Sequence, residues 1–165
     1  MKNRERGFSL IELLIVVAII VIITAVAIPN LRTTRMQAQE ASALKSLVTL
    51  NTAAMAYYGS FGSYPHALSD MGPSSAGSSP SKTSADLLSS TMAPSGGAPA
   101  NKDGYIFRYV PGAADESGNI STYTITGDPS TQGQTGVKRF FTDQTDTVRF
   151  TRDGTAATVM STPAQ

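Results

Sequence analysis

One carboxylate interrupts the most apolar stretch of the chain. From residue 8 to residue 28 the only ionisable side chain is that of Glu12. A charge at the centre of a membrane helix costs about 2.5–3.5 kcal/mol on insertion scales, so such a charge usually has a partner. The apolar run contains no base, so the partner must come from outside it. A new amino group, made by cutting the chain after Gly7, would form the required ion pair.

The spacing around the cut suits this chemistry. Phe8 and Glu12 are four residues apart and therefore share one face of a helix. A subunit could pair its own terminal amine with Glu12, and a neighbouring copy displaced along the helix axis could do so equally well. Gly7 has no side chain, which suits a protease subsite that binds extended backbone. The alternative is a plain signal anchor in which Glu12 is incidental.

The apolar run is long enough to cross a membrane as one helix. Residues 10–28 would span about 28 Å at about 1.5 Å per residue, close to the hydrocarbon thickness of about 30 Å. A secretory signal has a shorter apolar core followed by a small-residue cleavage site, so we expect no cut beyond the run. The bases before it predict a cytoplasmic N-terminus, with the bulk of the chain outside: Lys2, Arg4 and Arg6.

Residues 1–7, the cut that follows them and the apolar run together resemble a known signal. The string RGFSLIELLIVVAIIVIITAVAIPN is similar to the class III signal of type IV pilins and type II secretion pseudopilins, and the resemblance covers residues 4–30. It implies that a membrane prepilin peptidase cuts between Gly7 and Phe8 and methylates the Phe8 amine. It also implies that Glu12 pairs with the Phe8 amine of a neighbouring subunit during filament assembly.

A second helical stretch follows the apolar one. Pro29 lacks an N–H and crowds the preceding turn, so we expect a kink there, unless Pro29 simply ends the membrane helix. Residues 31–58 contain no Gly or Pro and are rich in helix formers. Apolar side chains recur there at three- and four-residue steps: Leu44, Leu47, Val48, Met55 and Tyr58. We predict one helix from about Phe8 to Tyr58, membrane-embedded over residues 8–29 and amphipathic over residues 30–58.

The remainder of the chain reads as a loop and a sheet. Residues 59–103 are rich in Ser, Gly and Pro and are predicted to form a mostly exposed connecting loop. Residues 104–165 show the period of two that indicates strands, which we place at 105–110, 120–126, 137–142, 147–152 and, as a short fifth strand, 156–160. The predicted fold class is α+β: a long N-terminal helix packed on a small antiparallel sheet of three or four main strands, which by the resemblance is the pilin fold.

Composition argues against catalysis. The absence of cysteine excludes a thiol nucleophile, a disulfide and a thiolate metal site. A single histidine, His66, argues against a histidine-based zinc site. We therefore predict no enzyme activity and no cofactor. Three aspartates could in principle gather around calcium, which prefers oxygen ligands: Asp143, Asp146 and Asp153. Turns commonly use Asp for backbone hydrogen bonds, however, and we favour that interpretation.

Charge fits self-association better than nucleic-acid binding. The net charge is +1, and removing residues 1–7 leaves 10 basic and 11 acidic side chains, a net charge of −1. Near-neutrality suits a surface that packs against its own copies, and no basic stripe for nucleic acid is visible. The partners implied by the resemblance are other copies of the chain in a helical filament, the prepilin peptidase, an inner-membrane assembly platform, minor pilins and the membrane.

Two functions fit these features. The first is a structural subunit of a type IV pilus or pilus-like filament, and the alternative is a pseudopilin of a type II secretion system. The absence of a DPWGNPY-like segment, typical of the major pseudopilin, favours the pilin. A membrane-anchored enzyme would need a nucleophile–base pair, and the sequence shows none. The expected location is the inner membrane as a single-pass precursor, then an extracellular pilus or a periplasmic pseudopilus.

Overall fold

The computed structural model describes residues 8–164, apart from the side chains of residues 26–30. The chain forms two compact units, Met1–Arg35 and Met36–Gln165. The first unit consists, where it is described, of the start of helix α1, and the second contains the end of α1 and the sheet. The α+β architecture predicted from the sequence is therefore confirmed.

Helix α1 comprises Leu10–Phe61, 52 residues. It continues three residues beyond the predicted end at Tyr58. The prediction took Gly59 as the end of the helix, but a glycine inside a helix costs only about 1 kcal/mol and is tolerated here. The helix ends at Gly62, which has a φ of 71° and donates its N–H to the Tyr58 carbonyl at 2.8 Å. This left-handed glycine is the usual way in which a helix ends.

The face of α1 that packs on the sheet differs from the predicted stripe. It is formed mostly by small or medium side chains, at alternating steps of three and four residues: Ala43, Leu47, Leu50, Ala54 and Tyr57. Leu47 was correctly placed, but Val48, Met55 and Tyr58 are 47%, 40% and 44% exposed, so the prediction was wrong for these three. The prediction followed the large apolar residues. The observed face includes alanines instead, because a small side chain permits the close approach of a helix to a sheet.

The sheet has six antiparallel strands in sequence order, each paired with the next. The strands are β1 (Ala100–Lys102), β2 (Tyr105–Pro111), β3 (Tyr123–Pro129), β4 (Arg139–Asp143), β5 (Arg149–Thr151) and β6 (Thr162–Pro163). The fifth strand predicted at 156–160 is wrong, because this segment contains a turn and the strand that pairs with β5 is β6. Strand β1 lies within the predicted loop, where a two-residue turn at Asp103 and Gly104 joins it to β2 with positive φ at both positions.

The segment between α1 and the sheet is more buried than predicted. It contains two short 3₁₀ helices, Leu68–Met71 and Ser95–Gly97. Leu68, Met71, Leu88 and Met92 belong to the hydrophobic core, although residues 75–83 are exposed as expected. The Met71 carbonyl accepts the N–H groups of Leu87 and Leu88 at 3.0 and 2.8 Å, which folds the segment back on itself. Apolar residues scattered singly among Ser and Gly carry no periodicity, and so the sequence did not reveal this burial.

The core joins the helix to the central strands. Its largest side chains on the sheet are aromatic: Tyr105, Phe107, Tyr123 and Phe140. Gly127 in β3 lets the helix approach, because a Cβ at this position would lie 3.1 Å from both Leu47 Cδ1 and Phe107 Cε1. A larger residue at position 127 would push the helix and the sheet apart.

Aromatic rings close the end of α1 against the sheet. Tyr58 and Tyr64 have ring centroids 4.7 Å apart, and Tyr64 and Tyr123 are 4.6 Å apart. The Tyr109 hydroxyl donates a hydrogen bond to the Pro65 carbonyl at 2.8 Å. Burial raises the pKa of Tyr109 and of Tyr123, so both phenols stay neutral and serve in packing rather than in proton transfer.

Asn51 is a fully buried polar anchor on the sheet-facing side of α1. Its amide oxygen accepts a hydrogen bond from the Tyr123 hydroxyl, and its amide nitrogen donates one to Asp146. The network therefore ties the helix to β3 and to the turn between β4 and β5. A buried polar group that is satisfied in only one arrangement helps to fix the position of the helix on the sheet.

Glu40 is a second anchor and carries a charge. Its Oε1 accepts the N–H groups of Val137 and Lys138 at 2.9 and 3.2 Å, and its Oε2 lies 3.2 Å from the Lys138 ammonium nitrogen. Burial alone would raise the pKa of Glu40, but these hydrogen bonds and the nearby ammonium outweigh it, so the pKa lies below its usual range. The contact holds the segment that leads into β4 against the helix.

We expect Glu40→Ala to lower the free energy of unfolding by about 2–3 kcal/mol, because two amide N–H groups lose a charged acceptor. Glu40→Gln keeps an acceptor and should cost less. Since the pKa is depressed in the folded state, the stability that Glu40 contributes is present above the unfolded value of about 4.3 and is lost as the pH falls through the folded pKa. Urea unfolding of the full chain in detergent should therefore show a steeper loss for wild type than for Glu40→Gln below about pH 4.3.

Glu116→Gln, at an exposed loop position, is the matched control and should leave the midpoint unchanged. Equal acid sensitivity of wild type and Glu40→Gln would contradict the assignment of this carboxylate.

Candidate functional site

The described part of the candidate site begins at Phe8, which is 79% exposed. Gly7 and the rest of the proposed leader, residues 1–7, lie outside the described residues. The cut between Gly7 and Phe8 and the methylation of Phe8 therefore stay predictions.

Glu12 lies at the start of α1, where its carboxylate meets the exposed end of the helix backbone. The helix begins at Leu10, so Ser9 occupies the position just before it and Glu12 is the third helical residue. The Ser9 N–H donates a hydrogen bond to Glu12 Oε2 at 2.9 Å. This is the glutamate half of a capping box, in which a residue three positions into the helix accepts the N–H of the cap.

Sequence reasoning missed this contact, although the signal was present. The motif S-x-x-E preceding an apolar run occurs at residues 9–12. Among the residues that the structure describes, the contact occupies one carboxylate oxygen and leaves Oε1 for another donor. Glu12 can therefore cap its own helix and still receive a cation from elsewhere, since a carboxylate has about four acceptor positions.

The surface around Glu12 is apolar on every side. Large side chains of α1 from Leu10 to Ile23 are 49–80% exposed: Leu10, Ile11, Leu13, Leu14, Ile15, Val16, Val17, Ile19, Ile20, Val21, Ile22 and Ile23. Soluble monomers rarely expose so large a contiguous apolar surface, which marks a protein or membrane interaction site. Within the described residues, no helix meets the combined length and hydropathy needed to cross a membrane.

Pro29 lies within the part of α1 whose side chains are outside the described residues. The backbone at this position is assigned to the helix, which continues to Phe61. The kink expected at Pro29 therefore stays a prediction.

The three aspartates considered for calcium take part in turns. Asp143 Oδ1 accepts the N–H and the hydroxyl of Thr145 at 2.9 and 2.5 Å, and Asp153 Oδ1 accepts those of Thr155 at 3.0 and 2.6 Å. Asp146 accepts the amide of Asn51. Across residues 8–164 no group of three or more His, Asp or Glu side chains lies close enough to hold a metal ion. These contacts are the local hydrogen bonds that Asp commonly makes in turns.

His66 is exposed, and its backbone N–H donates to Asp70 Oδ2 at 2.9 Å. Asp70 also accepts the Ala67 N–H at 3.1 Å, so its carboxylate orders the start of the first 3₁₀ helix. This arrangement holds a turn and provides no nucleophile–base pair.

Comparison with known proteins places the signal in the N-terminal segment. A family model described as the prokaryotic N-terminal methylation motif matches residues 2–28. Neither the curated proteins nor the solved structures include a match to this chain. The matched segment implies a membrane-anchored precursor that a prepilin peptidase processes for filament assembly. The match thus supports the resemblance of residues 4–30 to the class III signal of type IV pilins and pseudopilins.

Proposed function

We propose that this chain is a structural subunit of a type IV pilus or pilus-like filament, polymerised through the first half of α1. The observation that supports this proposal best is the all-round apolar surface of residues 10–23 with one carboxylate, Glu12, at its start. Transfer of each large apolar side chain out of water is favourable by about 1.5–3 kcal/mol of free energy. In a membrane, contacts with lipid can be exchanged for contacts with other copies at little hydrophobic cost.

The proposed cut would create the cation that pairs with Glu12. Cutting between Gly7 and Phe8 would create a positively charged amine one helical turn before Glu12, and methylation of the Phe8 amine keeps that charge. A subunit that arrives with an unpaired carboxylate in an apolar surrounding gains a charge-assisted hydrogen bond when it meets the amine of a neighbour. Pairing thus favours assembly over dispersal in the membrane.

The proposal includes a location and a set of partners. The precursor would span the inner membrane once, with residues 1–7 in the cytoplasm, and the processed subunit would move into an extracellular filament. An inner-membrane assembly platform and minor pilins would act with it. The chain itself would perform no catalysis and bind no cofactor.

A pseudopilin of a type II secretion system is the second candidate. It shares the same signal, and the absence of the major-pseudopilin segment in residues 59–165 is the observation that favours the pilin. Electron microscopy of sheared surface material separates the two. Long fibres that contain this chain support the pilin, whereas a secretion defect without surface fibres, on deletion of the gene, supports the pseudopilin.

Gly7→Val should block removal of the leader, because a branched side chain cannot enter a subsite shaped for glycine. Mass spectrometry of the N-terminus should then find residues 1–7 still attached, where wild type begins at methylated Phe8. Gly59→Val, distant from the cut and at a helical position where an added Cβ meets no atom within 4 Å, is the control and should be processed normally. A Phe8 terminus in the Gly7→Val protein would reject the assigned cut.

Glu12→Gln and Glu12→Ala separate capping from charge pairing. The glutamine amide oxygen can still accept the Ser9 N–H, whereas alanine cannot, and both lack the negative charge. If the carboxylate binds a neighbour's amine, both variants should lower fibre yield by about tenfold or more, because an interaction of about 1.5–3 kcal/mol is lost at each contact. Yield is measured on sheared fibres relative to processed protein in the membrane. A near-normal yield for Glu12→Gln, with a defect only in Glu12→Ala, would assign Glu12 to helix capping and contradict the pairing.

A further inference from the structure

The next charged side chains after Glu12 along α1 are two arginines, Arg32 and Arg35. No charged residue lies between Glu12 and Arg32, and Arg35 follows one turn later. Both arginine side chains are exposed, and neither forms a salt bridge within residues 8–164. Residues 8–35 therefore carry one acid near one end and two bases at the other.

The positions of these charges around the helix are opposed. Arg32 and Arg35 follow Glu12 by 20 and 23 residues, which corresponds to about 30 and 35 Å along the axis of an α-helix. At about 100° per residue, the two arginines lie about 200° and 140° around the axis from Glu12. The acid thus lies on one face of the helix and both bases on the opposite face.

This arrangement distinguishes two ways in which copies could pair. In a closed antiparallel pair, each copy would have to present its acid and its bases to the same partner, which opposite faces do not permit. A parallel neighbour displaced by about 30–35 Å brings Glu12 of one copy level with the arginines of the next. The other face of each copy then remains available for a further copy, and such head-to-tail contacts build open filaments.

The chemistry of the groups supports this pairing. A guanidinium binds a carboxylate through two parallel hydrogen bonds, and this contact gains strength where water is excluded. Glu12 has an oxygen available beside the one that accepts the Ser9 N–H. The carboxylate also has enough acceptor positions for an amine and a guanidinium together.

We propose that Arg32 and Arg35 of one copy bind the Glu12 carboxylate of a parallel second copy displaced by about 30–35 Å, and that this contact sets the axial register of the filament. The inference rests on the proposed function, because it requires copies that assemble in parallel.

Cysteine crosslinking tests the register directly, since the chain has no cysteine of its own. Val16 follows Glu12 by four residues and Met36 follows Arg32 by four residues, the spacing at which side chains of one helix are neighbours. The two cysteines therefore keep the 20-residue offset of the proposed contact. We expect fibres of the double variant Val16→Cys/Met36→Cys to give, on oxidation, a ladder of dimers, trimers and longer species on a denaturing gel. The matched control is Val16→Cys/Ala38→Cys, because Ala38 lies about 200° around the helix from Met36 and should give no ladder.

The other outcomes decide against the inference. A band at the dimer and nothing larger would indicate a closed antiparallel pair. Fibres seen by electron microscopy with no ladder, or with equal ladders in both variants, would overturn the register while leaving the filament function intact. Absence of fibres from the wild-type chain would remove the filament function, and the register with it.

Charge variants provide a second test that needs no crosslink. Arg32→Gln/Arg35→Gln should be processed and retained in the membrane like wild type but lose about tenfold or more in fibre yield. Arg32→Lys/Arg35→Lys should recover only part of that loss, because an ammonium keeps the charge but not the two parallel hydrogen bonds of a guanidinium. Wild-type fibre yield from the glutamine variant would overturn the proposal. A fall in membrane retention of the processed subunit, with the yield per retained subunit unchanged, would also overturn it, by assigning the arginines to lipid phosphates.

Discussion

Apolar side chains surround residues 10–23 of α1 on every side, so no single sheet could cover them. An amphipathic helix is satisfied by packing one stripe on one surface, as the second half of α1 does with Leu47 and Leu50. A helix that is apolar all round needs lipid or several neighbours. The proposed function follows from this requirement, because a membrane or an assembly of copies would cover the same surface.

The second unit meets its requirement within the chain, since its part of α1 packs on a sheet formed by later residues. Its helix presents small side chains to the sheet, and Gly127 provides the room for a close approach. Apolar contacts alone would allow the helix to slide, whereas Asn51 and Glu40 accept or donate hydrogen bonds at fixed points on β3 and before β4. Buried polar groups of this kind specify position at some cost in stability.

The sequence predicted the parts of this structure that repeat and missed those that depend on distant contacts. The long helix, the antiparallel sheet and most strand positions follow from periodicity. The burial of Met71 and Leu88 does not, because it depends on a chain reversal between segments without periodicity. Strand β6 was misplaced because AATVM has strand-like composition, yet only residues 162–163 meet the free edge of β5. At the candidate site, the sequence identified Glu12 as the unusual residue but not its hydrogen bond to Ser9.

The charges of residues 8–35 are compatible with both roles of Glu12, the helix cap seen in the structure and the proposed contact in assembly. After processing, residues 8–35 would carry one acid, one terminal amine and two arginines, and so an excess of positive charge. A surplus charge within the apolar run would cost about 2.5–3.5 kcal/mol. Arg32 and Arg35 lie instead just beyond that run, where water reaches an arginine that has no carboxylate to bind. The single acid lies inside the apolar run, so in a membrane or a filament its contacts with cations would form where water is excluded, and assembly would strengthen them.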